Sequence, residues 1–112
     1  NRVGPEGEGF KYAMRGLDGG RLNIAACALG GAQDALDRAL VYVKERKQFG
    51  KRIADFQNTQ FTLADMETEL SASRALLHLA ARKLDANAPD ATKFCAMAKR
   101  FVTDIAFKVA DQ

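Results

Sequence analysis

Proline is scarce in this chain: among 112 residues only Pro5 and Pro89 occur. Because proline interrupts helices, the long stretch between these two positions can form uninterrupted helices. Valine and isoleucine are also few, whereas alanine is abundant, and this balance favours helix over strand. The composition therefore predicts an all-α protein, and a chain of this length holds at most one domain.

Histidine and cysteine are just as scarce, with His78, Cys27 and Cys95 as the only residues of these types. One imidazole and two scattered thiols cannot supply a metal ligand set, so no metal site is predicted. No nucleophile constellation is present either, so no residue is assigned a catalytic role. Both cysteines lie in apolar stretches without C-x-x-C spacing and are predicted to be buried, reduced thiols.

Long apolar runs and a strong charge imbalance are missing as well. No run approaches the roughly 20 apolar residues of a membrane span, so no span is predicted. The net charge is +3, and acidic residues are interleaved with basic ones along the chain. Such interleaving is typical of solvated helix faces with ion pairs one turn apart, and nucleic acid is therefore not expected as a partner.

Helical periodicity is what the chain has in abundance. Residues 1–9 are rich in Gly, Pro and Glu and are predicted to be a linker. Helical sequence begins near Phe10, but glycines at positions 16, 19 and 20 interrupt it, so the first firm helix is predicted from Arg21 to about Lys47. Its apolar seam advances by alternating steps of three and four residues through Leu22, Ala25, Leu29, Ala32, Leu36, Ala39 and Val43.

Two further helices are predicted after a short connection at residues 49–54. Asp55 is the expected N-cap of the second helix, which runs to about Ala86. Asp90 is the expected N-cap of the third helix, which shows no stop signal before Gln112. The inward positions of the third helix are predicted at Phe94, Ala98, Phe101, Ile105 and Val109.

Three long helices with short connections predict an antiparallel up-down bundle. Such a group of three leaves a groove for a fourth helix, which is expected downstream of Gln112. Residues 10–112 are accordingly predicted to be an incomplete helical bundle domain. The three helices alone are expected to expose an apolar strip through which the chain associates with itself.

Two segments suggest chemistry, and their residue types leave two interpretations of each open. The basic segment at residues 44–52 contains five cations around Phe49 and Gly50. It is typical either of a solvated helix end or of an anion site in which arginine holds a diphosphate. Further upstream, Asp18 and Arg21 flank a glycine pair, which indicates either a break between two helices or a close backbone approach to another group.

Four motifs occur in the order and spacing seen in one enzyme family. They are Gly9-Phe10, Asp18-Gly19-Gly20-Arg21, Arg46-Lys47-Gln48-Phe49-Gly50 and Phe56-Gln57. Together with the run from Phe61 to Met66, they make essentially the whole chain resemble the C-terminal helical domain of the acyl-CoA dehydrogenases. Within this family the chain looks most similar to the isobutyryl-CoA dehydrogenases.

The resemblance implies a flavoenzyme that removes a proton and a hydride from the α and β carbons of a short or branched acyl-CoA thioester. FAD would take the hydride, electron-transferring flavoprotein would reoxidise the flavin, and the enzyme would be a homotetramer, a dimer of dimers. By motif match, the FAD-binding residues are Arg46, Lys47, Gln48, Phe49, Phe56 and Gln57, and Arg46 reaches the cofactor of a neighbouring subunit. The residues beside the acyl-CoA are Asp18, Gly19, Gly20 and Arg21.

The resemblance assigns no catalytic base to this chain. In most of the family the base is a glutamate well downstream, and it is expected beyond Gln112. One branch of the family places it just before the arginine of the matched segment, where this chain has Gly20. The isolated chain is therefore expected to be inactive.

The cellular compartment and the functional class of the protein are likewise inferred from the resemblance. The resemblance implies a bacterial cytoplasm or a mitochondrial matrix. Two alternatives stay open. One is a flavin oxidase of the same fold, and the other is a non-enzymatic helical interaction module whose basic segment binds an acidic partner.

Overall fold

The computed structural model describes residues 4–112, so the first three residues of the predicted linker lie outside the described part. The elements follow in the order α1 Gly9–Glu45, β1 Lys47–Gln48, β2 Lys51–Arg52, a 3₁₀ turn Ile53–Asp55, α2 Gln57–Asp85 and α3 Ala91–Asp111. The predicted all-α bundle is confirmed. The two short strands form one antiparallel hairpin that pairs Lys47 with Arg52 and Gln48 with Lys51.

α1 is continuous from Gly9, so the predicted interruption by the glycines at positions 16, 19 and 20 is wrong. Each glycine costs about 1 kcal/mol relative to alanine in a helix, but strongly periodic turns follow directly and helix formation is cooperative. Asp18, between these glycines, is buried and hydrogen-bonded to α3. This tertiary contact favours the helical backbone, and the interpretation of the segment as a helix break is excluded.

The start of α2 also differs from the prediction. Its N-cap is Phe56, which makes no side-chain capping hydrogen bond, and Asp55 ends the 3₁₀ turn instead. The Asp55 carboxylate accepts hydrogen bonds from the Arg52 backbone N–H at 3.2 Å and from Arg52 Nη2 at 3.0 Å. A cation three residues upstream thus engages the side chain that the sequence suggested as a cap.

α3 begins after Asp90 as predicted, but the Asp90 side chain makes no capping hydrogen bond. Lys83 Nζ instead donates to its two carboxylate oxygens at 2.9 and 2.7 Å. The same ammonium lies 4.4 Å from the centroid of the Phe94 ring, within range of a cation–π contact. Lys83 therefore ties the last turn of α2 to the first turns of α3.

The core lies where the three helices meet, since each of them contacts the other two. Its buried members are Ala25, Leu29, Ala32, Leu36, Met66, Leu70, Val102 and Val109. The seam predicted for α1 is confirmed because five of its seven positions are buried, at Ala25, Leu29, Ala32, Leu36 and Val43.

Two predictions about burial are wrong. Phe101 is 40% exposed, whereas Val102 is 1% exposed and takes the core position. The inward line of α3 runs through Cys95 and Val102, which leaves Phe101 at its edge. Cys27 is exposed while Cys95 is buried, because Cys27 follows the buried Ala25 by two residues and so lies on the opposite side of α1.

The three helices form a thin, elongated body of 71 × 28 × 16 Å. The shortest dimension is little more than the diameter of about 10–12 Å of one helix with its side chains, so the core is incompletely covered. Large apolar side chains are exposed on all three helices, and the most exposed helical ones include Phe10, Ile24, Val41, Tyr42, Phe61 and Phe107. Within residues 4–112, no helix combines the length and the hydropathy that crossing a membrane requires.

Candidate functional site

The hairpin that follows α1 contains a strained aromatic residue. Phe49 and Gly50 form its two-residue turn with φ angles of 52° and 78°. Two positive φ angles in succession are typical of a type I′ turn, which is normally built from Asn and Gly. A bulky aromatic residue rarely adopts this backbone conformation, and strain of this kind is concentrated at functional sites.

Phe49 gains nothing from burial in return for this strain. Its side chain is 93% exposed, more than any other large apolar residue of the described part. An aromatic ring that is both strained and solvent-exposed is poorly explained by the stability of this chain alone. The Phe49 ring is therefore available for contact with another molecule.

Arg46 lies at the base of this hairpin with its main chain fully engaged. Its backbone N–H donates to the Tyr42 carbonyl at 2.9 Å, and its own carbonyl accepts from the Ile53 N–H at 2.9 Å. Its guanidinium, like the ammonium groups of Lys47 and Lys51, makes no hydrogen bond or ion pair within residues 4–112. The backbone is thus fixed while three cationic side chains stay available to an anion.

Arg52, the remaining cation of the hairpin, is already paired. The hydrogen bonds that Arg52 donates to Asp55 raise the pKa of the Arg52 guanidinium and lower the pKa of the Asp55 carboxyl. Both groups are exposed, so the pair stabilises the fold little. The pair occupies the Arg52 guanidinium and closes the 3₁₀ turn.

The start of α2 returns the chain to this hairpin. Phe56 is half-buried at the N-cap and Gln57, the first helical residue, is exposed. Because no side chain caps the helix, its first N–H groups are free to bind an anion. The six residues predicted to bind FAD therefore lie at one end of the bundle, on the hairpin and the adjoining helix start.

The second predicted set lies near the beginning of α1. Asp18 is 7% exposed, and its Oδ1 accepts from Arg21 Nη1 at 2.7 Å. Its Oδ2 accepts from the Thr92 hydroxyl at 2.6 Å, which links α1 to the first turn of α3. Burial and, to a smaller extent, the Asp18 carboxylate raise the pKa of the Cys95 thiol one turn further along α3.

Arg21 borders a shallow groove of about 250 Å³ between α1 and α3. The groove is lined by Gly16, Leu17, Gly20, Arg21, Ile24 and Lys99. A Cβ added at Gly16 or Gly20 would meet no atom of residues 4–112 within 4 Å, apart from the neighbouring backbone of α1. Packing within these residues therefore does not require the two glycines, which leave one wall of the groove without side chains. Gly19, the other predicted residue of this set, is half-buried.

The two sets are far apart on the same helix. Arg46 follows Arg21 by about 25 residues, which corresponds to about 37 Å at a rise of 1.5 Å per residue. One chain therefore does not bring its hairpin and its groove to the same reacting atoms.

Sequence reasoning missed three contributors to these sites: Thr92, Lys99 and the pairing role of Asp55. The carboxylate of Asp55 three residues after Arg52 was a readable signal for a local ion pair. Thr92 and Lys99 reach Asp18 and the groove only because α3 packs against α1. No spacing rule within a single sequence reports that packing.

The part of the chain that the structure describes contains no cluster of His, Cys, Asp and Glu that could hold a metal ion.

Comparison with known proteins gives a consistent result. The family model described as "Acyl-CoA dehydrogenase, C-terminal domain" matches residues 7–112. A mitochondrial isobutyryl-CoA dehydrogenase of Dictyostelium discoideum is 52% identical over 111 residues, which cover 99% of this chain and 27% of that protein. The Caffeyl-CoA reductase-Etf complex subunit CarC of Acetobacterium woodii is 51% identical over 105 residues, covering 94% of this chain and 27% of the relative.

A solved structure shares the arrangement of the helices. The butyryl-CoA dehydrogenase of Megasphaera elsdenii superposes with a TM-score of 0.90 at 48% identity, over 95% of this chain and 27% of that one. The chain thus spans about a quarter of the length of the curated relatives that it matches.

Proposed function

Because this chain belongs to the acyl-CoA dehydrogenase family, as its C-terminal helical domain, we propose that the complete protein is an acyl-CoA dehydrogenase. It oxidises the bond between the α and β carbons of a short or branched acyl-CoA thioester. The family is generally FAD-dependent. This chain contributes surface that binds FAD, surface that borders the acyl-CoA, and surface between subunits.

One observation carries the proposal for FAD: the hairpin holds an exposed Phe49 at positive φ three residues after Arg46, whose guanidinium has no partner within residues 4–112. A guanidinium matches the paired oxygens of a pyrophosphate, and an exposed aromatic ring can stack on a purine. The free N–H groups after Phe56 add a further anion-binding element. These residue types fit FAD. Lys47, Gln48 and Gln57 complete the six residues that we propose bind it.

FAD, when bound, supplies the acceptor for the hydride. The residues of this chain bind and orient the cofactor and the acyl-CoA. Arg46 and Lys47 hold negative charge at one end of the bundle, while Gly20 and Arg21 border the acyl-CoA in the groove at the other end. No carboxylate or imidazole lines that groove, so we assign this chain binding and orientation, and no residue of it abstracts the proton.

The distance between the two proposed sites supports an association of subunits. A hairpin about 37 Å from the groove of its own chain contributes to an active site only if that site belongs to another subunit. We therefore propose a homo-oligomer in which Arg46 reaches FAD across an interface, as in a dimer of dimers. The exposed apolar residues of all three helices supply the area for such contacts.

Electron-transferring flavoprotein is the proposed electron acceptor. In support, the relative from Acetobacterium woodii is named as a subunit of an Etf complex. The proposed compartment is a bacterial cytoplasm or a mitochondrial matrix, and the relative from Dictyostelium discoideum is described as mitochondrial.

The test is the anaerobic visible spectrum of the complete protein before and after addition of isobutyryl-CoA. We expect a yellow flavin that bleaches. A flavin that does not bleach with this or any straight-chain acyl-CoA would contradict the dehydrogenase, and a protein that stays colourless after FAD is supplied would contradict a flavoprotein.

The same preparation tests the hairpin. Arg46→Ala is expected to lose FAD during gel filtration, because it removes a charge-assisted contact worth on the order of 2 kcal/mol. Arg82→Ala is the matched control, since Arg82 is also an exposed arginine near a helix C-terminus. Equal FAD retention by the two variants would contradict the role of Arg46.

A further inference from the structure

Thr92 is a polar residue of the groove region that neither the motifs nor the proposed function accounts for. It is the second residue of α3, and its hydroxyl donates to Asp18 Oδ2 at 2.6 Å across a sequence separation of 74 residues. The only other donor on this carboxylate within residues 4–112 is Arg21, on Oδ1 at 2.7 Å. The two oxygens of one buried carboxylate are thus held by two different helices.

This arrangement fixes the direction of the carboxylate. A carboxylate with a donor on one oxygen can rotate about its last side-chain bond, whereas donors on both oxygens, one from α1 and one from α3, restrict that rotation. The Asp18 side chain is 10% exposed, so water is a poor replacement for a lost donor, and an unpaired oxygen there is costly.

The direction of the carboxylate in turn sets the position of Arg21. The Arg21 side chain is 30% exposed and borders the groove, and Asp18 Oδ1 is its sole hydrogen-bond partner in the described part. Without the Thr92 hydroxyl, the carboxylate is free to turn both oxygens towards the guanidinium. Arg21 would then be drawn against α1 and away from the groove.

We propose that Thr92 is a positioning residue that acts through Asp18 to hold Arg21 in place beside the acyl-CoA. This inference rests on the proposed function, because the groove must take an acyl-CoA for the position of Arg21 to matter. It goes beyond that function by assigning a role to a residue of α3 that belongs to neither predicted set and contacts one of them only through Asp18. The packing of α3 against α1 thereby contributes to substrate binding as well as to the stability of the fold.

The experiment compares variants of the complete enzyme by kcat and KM for isobutyryl-CoA, with rates expressed per bound flavin so that misfolded protein does not count. Thr92→Val replaces the hydroxyl by a methyl group of similar size. We expect kcat/KM to fall about tenfold, the size of effect of one lost hydrogen bond to a charged group. Thr92→Ser keeps the hydroxyl and is expected to restore kcat/KM to within roughly twofold of the wild type.

Thr103→Val is the matched control. Thr103 lies on the same helix, but its hydroxyl donates to the Lys99 carbonyl at 2.8 Å, within α3. Its loss is expected to leave kcat/KM unchanged. Thr92→Ala, which introduces no methyl group against Asp18, serves in place of Thr92→Val if the latter does not fold.

A double variant separates positioning from mere stability. If Thr92 acts through Arg21, then adding Thr92→Val to Arg21→Met changes kcat/KM by less than about twofold, because the group being positioned is already gone. Fully multiplicative effects would overturn the inference. So would a Thr92→Val enzyme with a lower Tm but unchanged kcat and KM. A wild-type enzyme that neither binds nor oxidises acyl-CoA would overturn the proposed function, and the inference with it.

Discussion

At the scale of single residues, α1 keeps glycines where a helix would be more stable without them. Gly16 and Gly20 each cost about 1 kcal/mol relative to alanine, and no atom of the described residues 4–112 occupies the space that their side chains would fill. The cost is explained if another molecule approaches the backbone here. That explanation concerns binding of a ligand and not folding. A glycine-to-alanine substitution, which adds one methyl group, tests it.

We predict that Gly20→Ala has opposite effects on stability and on substrate binding. The complete protein should gain about 0.5–1 kcal/mol of unfolding free energy, because alanine favours the helix. Its affinity for acyl-CoA should fall roughly tenfold, because the methyl group overlaps the bound ligand. Denaturant unfolding and titration with isobutyryl-CoA measure the two effects.

Gly30→Ala is the control for this prediction. Gly30 is likewise an exposed glycine of α1 with no atom near its added Cβ, but it lies outside the groove. The same gain in stability is expected without any change in affinity. If the two variants bind acyl-CoA equally well, the groove does not hold the substrate.

At the scale of elements, the hairpin at residues 47–52 matters more than its size suggests. Its turn would form more readily with asparagine than with Phe49, because asparagine tolerates a positive φ. The chain retains the aromatic residue although its ring is almost fully exposed. The hairpin is therefore an element whose local stability is lower than it could be.

We predict that Phe49→Asn stabilises the complete protein by about 1 kcal/mol through relief of backbone strain, while its retention of FAD becomes weaker. Thermal unfolding in the absence of added FAD, and FAD content after gel filtration, are the two measurements. A variant that retains FAD as well as the wild type would show that Phe49 does not contact the cofactor.

The junction between α2 and α3 carries a pH-dependent contribution. The hydrogen bonds from Lys83 lower the pKa of the Asp90 carboxyl below its ordinary value of 3.8. Because the folded-state pKa is depressed, the stabilisation is present above about pH 3.8 and is lost as the pH falls through the lowered value.

We predict that Asp90→Asn lowers Tm at pH 6 and that the difference from the wild type shrinks as the pH falls below 3.8. Asp85→Asn, which removes an exposed carboxylate without an ion pair in the described part of the chain, is the control for the change in net charge. A difference between wild type and Asp90→Asn that stays constant from pH 6 to pH 3 would contradict the prediction.

The elements also show what a single sequence can and cannot report. The three helices and the seam of α1 were predictable because burial repeats with the helical period, and the motif around Arg46 was readable as a contiguous run. The continuity of α1 through its glycines, the edge position of Phe101 and the link from Thr92 to Asp18 were not. Each depends on how one helix packs against another, which is information that spacing within one helix lacks.

At the scale of the whole molecule, the thin body of 71 × 28 × 16 Å leaves much apolar surface in water. We predict that the isolated 112-residue chain self-associates. We also predict that it neither holds FAD stoichiometrically nor oxidises acyl-CoA. Sedimentation velocity over a range of concentrations measures the association, and the visible spectrum measures the flavin. A monodisperse monomer at high concentration would contradict the first part, and detectable dehydrogenation would contradict the second.

The length of α1 has a consequence for mixed assemblies. If each active site takes its groove from one chain and its hairpin from another, then Arg21→Met and Arg46→Ala damage different halves of a shared site. A hybrid dimer of the two variants contains one site with both defects and one site with neither. Mixing the two impaired proteins should therefore give more activity than either protein has alone. Such complementation would arise because a single helix of about 55 Å serves two catalytic centres at once.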